Sequence, residues 1–132
     1  MKDRCIVLVI EDDPQFRMTM TAYLEDSGFT IHEAADGIEG MAMFEAYNPD
    51  IVLTDLRMPR MDGSGVITAV KKQSPGTPVI AFTGTSDPSA VDNVMRLGAS
   101  VCLFKPIEDL SHLEDAIRQA LAQNERPPNT GG

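Results

Sequence analysis

Four short apolar runs in this chain each stop at polar residues that are suited to bind a phosphate or a cation. Residues 5–10 are followed by the acids Glu11, Asp12 and Asp13, and residues 51–54 are followed by Asp55. Residues 78–82 are followed by Thr83, and residues 101–104 by Lys105. Short, almost wholly apolar runs are typical of strands that are covered on both faces, as in parallel sheets. Because parallel strands end at one edge of a sheet, these polar residues are expected to meet there.

Strand and helix patterns alternate along the whole chain. Predicted strands cover residues 5–10, 29–33, 51–54, 79–82 and 101–104, and a stretch with apolar residues at helical spacing follows each of them. This alternation predicts an α/β fold, a doubly wound five-stranded parallel sheet with right-handed crossovers. Asp13 and Pro14 fit the N-cap and the first turn of the first helix. The second strand alternates apolar and polar residues, which is typical of a sheet edge.

The length of 132 residues suits one domain. We assign residues 4–123 to that domain. Residues 124–132 contain Pro127, Pro128 and two final glycines, and we interpret them as a flexible tail or the start of a linker. Cys5 and Cys102 both fall in predicted strands, where we expect buried thiols without a disulfide.

The net charge of −9 disfavours broad electrostatic binding to nucleic acid or to an anionic membrane surface. No apolar run approaches the length of a membrane span, and the N-terminus lacks the core and cleavage site of a secretory signal. We therefore expect no direct nucleic-acid binding, no membrane insertion and a cytoplasmic location.

The polar residues at the predicted sheet edge form a set with a definite chemistry: Asp12, Asp13, Asp55, Thr83 and Lys105. Two carboxylates 4 Å apart repel by about 4 kcal/mol at an effective dielectric of about 20, so a divalent cation is expected to offset their charge. Mg²⁺ prefers one or two carboxylates together with waters and phosphate oxygens. Asp55 can then act as a nucleophile on phosphorus, while Lys105 and Thr83 stabilise the phosphoryl oxygens.

The same residues carry a family resemblance. The acidic pair Asp12-Asp13, the run 55–63 with its Met-Pro-Arg-Met-Asp-Gly ending, Thr83-Gly84 and Lys105-Pro106 stand in the order and at the spacing of receiver domains of two-component response regulators. The resemblance covers residues 4–123. It implies a flavodoxin-like (βα)5 fold with strand order 2-1-3-4-5.

The resemblance also implies a mechanism. Asp55 would be the phosphoacceptor, and the donor would be a sensor histidine kinase or a phosphotransfer protein. Mg²⁺ or Mn²⁺ would be ligated by Asp13, Asp55 and the backbone carbonyl of Arg57, with Asp12 acting through a bound water. The Lys105-Pro106 peptide bond would be cis. Such a domain is a phosphoacceptor switch, with self-catalysed phosphotransfer and slow autodephosphorylation, rather than an enzyme acting on a separate substrate.

The resemblance also implies a conformational switch made of Thr83 and an aromatic residue three positions before the lysine. A downstream domain or protein would bind the face formed by helix 4, strand 5 and helix 5 and so detect the state of the switch. This chain has Cys102 at the aromatic position. Phe104 falls on the same face of the strand and is the expected partial substitute.

Three other functions compete with this one. An aspartate-nucleophile phosphatase expects a second aspartate two residues after the nucleophile, where this chain has Arg57. A flavin-binding electron carrier expects a Ser-, Thr- and Gly-rich phosphate loop after the first strand, and residues 11–13 would instead repel phosphate. A docking module that no longer accepts phosphate is disfavoured by the complete residue set, although Cys102 is consistent with it.

Overall fold

The computed structural model describes residues 5–58, 60–84 and 88–124. The strands are β1 Ile6–Ile10, β2 Thr30–Ala34, β3 Ile51–Asp55, β4 Val79–Thr83 and β5 Val101–Phe104. The helices are α1 Pro14–Asp26, α2 Gly37–Tyr47, α3 Gly63–Gln73, α4 Pro88–Leu97 and α5 Leu110–Asn124. The predicted alternation of strand and helix is confirmed throughout.

All strands are parallel, in the order β2-β1-β3-β4-β5. Helices α1 and α5 cover one face of the sheet, and α2, α3 and α4 cover the other. The flavodoxin-like fold and its predicted strand order are therefore confirmed, and β2 is an edge strand as its alternating pattern indicated.

Strand β1 shows why the strands are apolar along their whole length. Val7 and Val9 pack in the core beneath α1 and α5, whereas Leu8 and Ile10 pack in the core beneath α2, α3 and α4. A strand between two helical layers has no solvent-facing side, so both alternating sets of side chains must be apolar.

Capping residues set the helix boundaries, and Asp13 is the N-cap that was predicted. The Asp13 carboxylate accepts hydrogen bonds from the N–H groups of Gln15 and Phe16, and Pro14 opens α1. Asp36 caps α2 through the N–H of Glu39, and Asn48 ends that helix with a left-handed φ of 50°. Side-chain acceptors satisfy backbone donors that have no partner inside the first turn of a helix.

The strands differ from the predicted ranges by one residue at several ends. Strands β3 and β4 extend to Asp55 and Thr83, because these residues pair with Phe82 and Phe104 of the neighbouring strands. Strand β2 begins one residue late, because the N–H of Phe29 still bonds to the carbonyl of Leu24 at the end of α1. The two predicted polar site residues thus lie on the last rung of the sheet.

Some predictions fall beyond these residues. The predicted domain begins at residue 4, which lies outside the described part of the chain, and so does the predicted tail except for Asn124, the last residue of α5. Among the described helices, none is long and apolar enough to cross a membrane. A cytoplasmic location stays a prediction.

Candidate functional site

Three segments bring carboxylates together at the carboxyl edge of the sheet. Glu11 and Asp12 directly follow β1, and Asp55 ends the adjacent strand β3. One carboxylate oxygen from each of the three lies within 4.8 Å of the others. Because β1 and β3 are paired in parallel, with Ile10 opposite Thr54, the acids beyond their ends are neighbours.

Lys105, which follows β5, inserts its ammonium group between two of these acids. Its Nζ lies 2.9 Å from Asp55 Oδ2 and 3.0 Å from Glu11 Oε1, and 4.9 Å from the centroid of the Phe16 ring. Burial by itself lowers the pKa of Lys105, but the hydrogen bonds and charges of Asp55 and Glu11 outweigh it and raise the pKa above its usual value. The lysine is therefore held as a cation.

Glu11 is the most deeply buried acid of the group, with no exposed surface. Its Oε2 accepts a hydrogen bond from the N–H of Asp13 at 3.0 Å. Its Oε1 contacts Lys105 as an ion pair but has no well-directed hydrogen bond. Burial raises the pKa of Glu11 to about 7, against the opposing effects of Asp13 and Lys105. A buried carboxylate oxygen without a directed donor can accept a further ligand.

Asp55 is 6% exposed and is held from two sides. Lys105 binds its Oδ2, and the N–H of Arg57 donates to its Oδ1 at 3.4 Å. Phe104 is opposite Thr83 in the β4–β5 ladder, and the N–H of Lys105 donates to the Thr83 carbonyl at 2.8 Å. The backbone thus ties the ends of β4 and β5 to the segment that carries the lysine.

The acid cluster differs from the predicted one in one member. The sequence predicted Asp12, Asp13 and Asp55, whereas the structure groups Glu11, Asp12 and Asp55. The Asp13 carboxylate instead accepts hydrogen bonds from N–H groups in the first turn of α1. The predicted cation ligands left out Glu11, although two signals pointed to it: it is the first residue beyond the apolar run, and Asp13 already had a predicted role as N-cap.

The remaining predicted residues lie around this cluster. The Lys105-Pro106 peptide bond is cis, as predicted. Cys102 is half-buried against the core beneath α2, α3 and α4, and burial raises the pKa of its thiol. Phe104 is 51% exposed at the end of β5. The Arg57 side chain is exposed beside the cluster.

A cavity of about 410 Å³ opens beside the cluster between α1 and the segment after β5. Asp13, Phe16, Lys105, Pro106 and Ile107 line it. The cavity gives Lys105 one side that faces open space, so this lysine can be reached from outside.

Comparison with known proteins identifies the family. The model of the response regulator receiver domain matches residues 7–118. The chain belongs to this family. A solved receiver domain from Clostridium thermocellum has the same fold as this receiver, with a TM-score of 0.85, 30% identity, and coverage of 90% of this chain and 95% of that one.

Curated relatives of the receiver are longer proteins. It is 29% identical over 111 residues to the Regulator of RpoS of Escherichia coli strain K12, covering 84% of this chain and 33% of that protein. It is 34% identical over 131 residues to the probable transcriptional regulator ycf27 of Porphyridium aerugineum, covering 95% of this chain and 54% of that protein. The receiver therefore corresponds to about a third to a half of these relatives.

Proposed function

We propose that this receiver accepts a phosphoryl group on Asp55 from the phosphohistidine of a sensor kinase or phosphotransfer protein, in a reaction that requires Mg²⁺ or Mn²⁺. The observation that carries the proposal is the position of Asp55, a nearly buried carboxylate between two other acids and one ammonium group. Such a carboxylate is shielded from water, fixed in orientation, and placed beside the charges that a phosphoryl group needs.

The site residues fit a hard divalent cation. Carboxylate oxygens about 5 Å apart repel by roughly 3 kcal/mol per pair at an effective dielectric of about 20, and one lysine offsets only part of that for three acids. Glu11, Asp12 and Asp55 would hold the ion, and the backbone carbonyl of Arg57 would be a further oxygen ligand, as the family resemblance implies. When bound, the cation would neutralise these acids and lower the repulsion toward an incoming phosphate. Asp13, a ligand in the sequence-based prediction, caps α1 through its Oδ1 and is not a member of this group of three acids.

The transfer step follows from the residues around Asp55. A carboxylate oxygen of Asp55 forms a bond to phosphorus as the bond from phosphorus to the donor imidazole nitrogen breaks, and the electron pair leaves with the imidazole. Lys105 compensates the negative charge on the equatorial oxygens, and the Thr83 hydroxyl donates a hydrogen bond to one of them. Attack of water on phosphorus then regenerates Asp55 and resets the switch.

The proposed output is a shift between two conformers, read by a downstream domain or protein at the face of α4, β5 and α5. The N–H of Lys105 donates a hydrogen bond to the Thr83 carbonyl. Because of this bond, a movement of Lys105 or Thr83 toward the phosphate would also displace the other residue. Phe104 of β5 is exposed and lies opposite Thr83, so its ring is the one placed to change its exposure when Thr83 moves.

A second candidate function is a docking module that does not depend on phosphorylation. The observation that favours it is Cys102, a half-buried thiol where the family's switch has an aromatic ring. The two functions differ in whether a partner distinguishes the phosphorylated chain from the unmodified chain.

Binding of Mg²⁺ is expected to stabilise the receiver. At a Mg²⁺ concentration a hundredfold above its dissociation constant, the free energy of unfolding should rise by about 2.7 kcal/mol, which corresponds to roughly 10 °C in Tm for a domain of this size. Thermal unfolding in EDTA and in millimolar Mg²⁺ measures this.

Matched variants make the thermal experiment specific. Asp12→Asn removes one charge of the cluster and should reduce the Mg²⁺-dependent rise in Tm by at least half. Asp92→Asn removes an exposed charge on α4, away from the cluster, and should leave that rise unchanged. An equal Tm in EDTA and in Mg²⁺ for the unmodified chain would contradict the metal site.

A further inference from the structure

The described residues between β3 and α3, 56–58 and 60–62, form a segment that carries Arg57 and contacts the first turn of α2 at Met61. A Cβ atom at Gly37 would overlap the carbonyl oxygen of Met61 and lie 2.7 Å from Met61 Cβ. Backbone meets backbone at this point, with no flexible side chain between them. The first helical residue of α2 therefore fits the segment only as glycine.

Other contacts hold the same segment from its remaining sides. A Cβ at Gly63 would overlap the carbonyl oxygen of Asp55 and lie 2.8 Å from Leu56 Cα, and the N–H of Gly63 donates to the Leu56 carbonyl at 3.0 Å. Arg60 Nε lies 3.5 Å from the carboxylate of Asp36, the N-cap of α2. The segment is thus confined between the end of β3 and the start of α2.

The segment contains a residue in an unfavourable backbone conformation. Arg60 has a φ of 71°, which lies in the left-handed region that residues with a Cβ atom rarely adopt. Such a conformation persists where surrounding contacts determine it. Contact with Gly37 on one side and Gly63 on the other provides that constraint.

The constraint reaches the acid cluster through Arg57. Its N–H donates to Asp55 Oδ1 at 3.4 Å, and it lies four residues before Met61 in the confined segment. Ordinary contact with a new Cβ begins near 3.4 Å, so a side chain at position 37 would push the Met61 backbone away from α2. A displacement of this kind would carry the Arg57 backbone with it.

We propose that Gly37 is a positioning residue for the cation site: its missing side chain sets the place of the segment from which the Arg57 carbonyl would reach the metal. This inference rests on the proposed Mg²⁺ site and adds to it a residue on α2 that does not touch the acid cluster. It also predicts that Mg²⁺ binding and the docking of this segment on α2 are coupled.

The test compares three glycine-to-alanine variants, each within the first four residues of α2 or α3. In Gly37→Ala the new Cβ meets the Met61 backbone. In Gly40→Ala, one turn further along α2, it meets the side chain of Ile10 in the core. In Gly65→Ala it lies 2.9 Å from Met61 Cγ, a side-chain atom that can shift more easily.

The readout is the dissociation constant of Mg²⁺ by isothermal titration calorimetry, on chains shown to be folded by circular dichroism. We expect Gly37→Ala to weaken Mg²⁺ binding at least tenfold and Gly65→Ala to weaken it about threefold. Gly40→Ala should weaken Mg²⁺ binding less than twofold, even if its Tm falls as far as that of Gly37→Ala. The rate of Asp55 phosphorylation should recover in Gly37→Ala at saturating Mg²⁺, since the nucleophile itself is unchanged.

The outcomes separate this inference from the proposed function. If the unmodified chain binds Mg²⁺ and folded Gly37→Ala binds it within twofold as well, the positioning role is wrong and the metal site stands. If Gly37→Ala does not fold, Gly65→Ala decides: an affinity equal to that of Gly40→Ala overturns the inference. If the unmodified chain shows no Mg²⁺ binding, both the site and the inference fail.

Discussion

Asp55→Asn is expected to abolish the mass gain of one phosphoryl group that acetyl phosphate gives the unmodified receiver in Mg²⁺. The amide has nearly the same shape as the carboxylate but lacks the negative charge and the nucleophilic oxygen that must bond to phosphorus. Intact-mass spectrometry of freshly treated protein measures the gain directly.

The matched control for Asp55→Asn is Asp62→Asn in the segment that follows. Asp62 caps α3 through the N–H of Gly65 at 3.1 Å, and asparagine caps helices about as well as aspartate. Asp62→Asn should therefore stay folded and gain the full phosphoryl mass. A folded Asp55→Asn chain that still gains this mass would assign the nucleophile to another residue.

Lys105→Met is expected to destabilise the metal-free receiver by about 3 kcal/mol at pH 8. Removal of one partner from a buried ion pair leaves an uncompensated charge, at a typical cost of about 3–5 kcal/mol. The lower end applies because the Lys105 side chain is 24% exposed, while that of Glu11 is fully buried. Urea unfolding in EDTA measures the loss.

Mg²⁺ should recover part of this loss, because the cation replaces the missing positive charge between Glu11 and Asp55. The stabilisation by Mg²⁺ should therefore be larger in Lys105→Met than in the unmodified chain. Lys71→Met is the control: Lys71 Nζ also lies partly buried, but it donates to the carbonyls of Pro75 and Thr77 rather than to the acid cluster. An equal effect of Mg²⁺ on Lys105→Met and Lys71→Met would show that Lys105 does not share the site with the cation.

The sheet was predictable because its physics is local. A strand such as β3, buried on both faces, must be apolar throughout, and an acid at its end then stands out in the sequence. The capping residues Asp13 and Asp36 were predictable for the same reason, since a cap satisfies donors only two or three residues away.

The exact members of the acid cluster were harder to predict. Glu11, Asp12 and Asp13 are consecutive acids, and which of them faces Asp55 depends on where β1 ends and where α1 begins. The cap of α1 takes Asp13, so Glu11 is left to fill the buried position beside Lys105. Competition between two local roles, rather than residue type, decides the outcome.

The contact of Gly37 with Met61 could not be predicted from periodicity. The two residues lie on different elements far apart in sequence, and their approach depends on how α2 and the segment after β3 pack on the sheet. A glycine after an N-cap is an ordinary helix start in the sequence. Only the packed structure shows that a side chain at this position would displace the segment beside Asp55.

The shared cation is tested most directly by the metal dependence of phosphorylation in the unmodified chain. Intact-mass spectra would be recorded after incubation with acetyl phosphate in EDTA, in Mg²⁺, and in EDTA followed by excess Mg²⁺. We expect a gain of one phosphoryl group in the second and third samples and none in the first. The same gain in EDTA, or no gain in Mg²⁺, would contradict the claim that the Glu11, Asp12 and Asp55 carboxylates act through a shared cation.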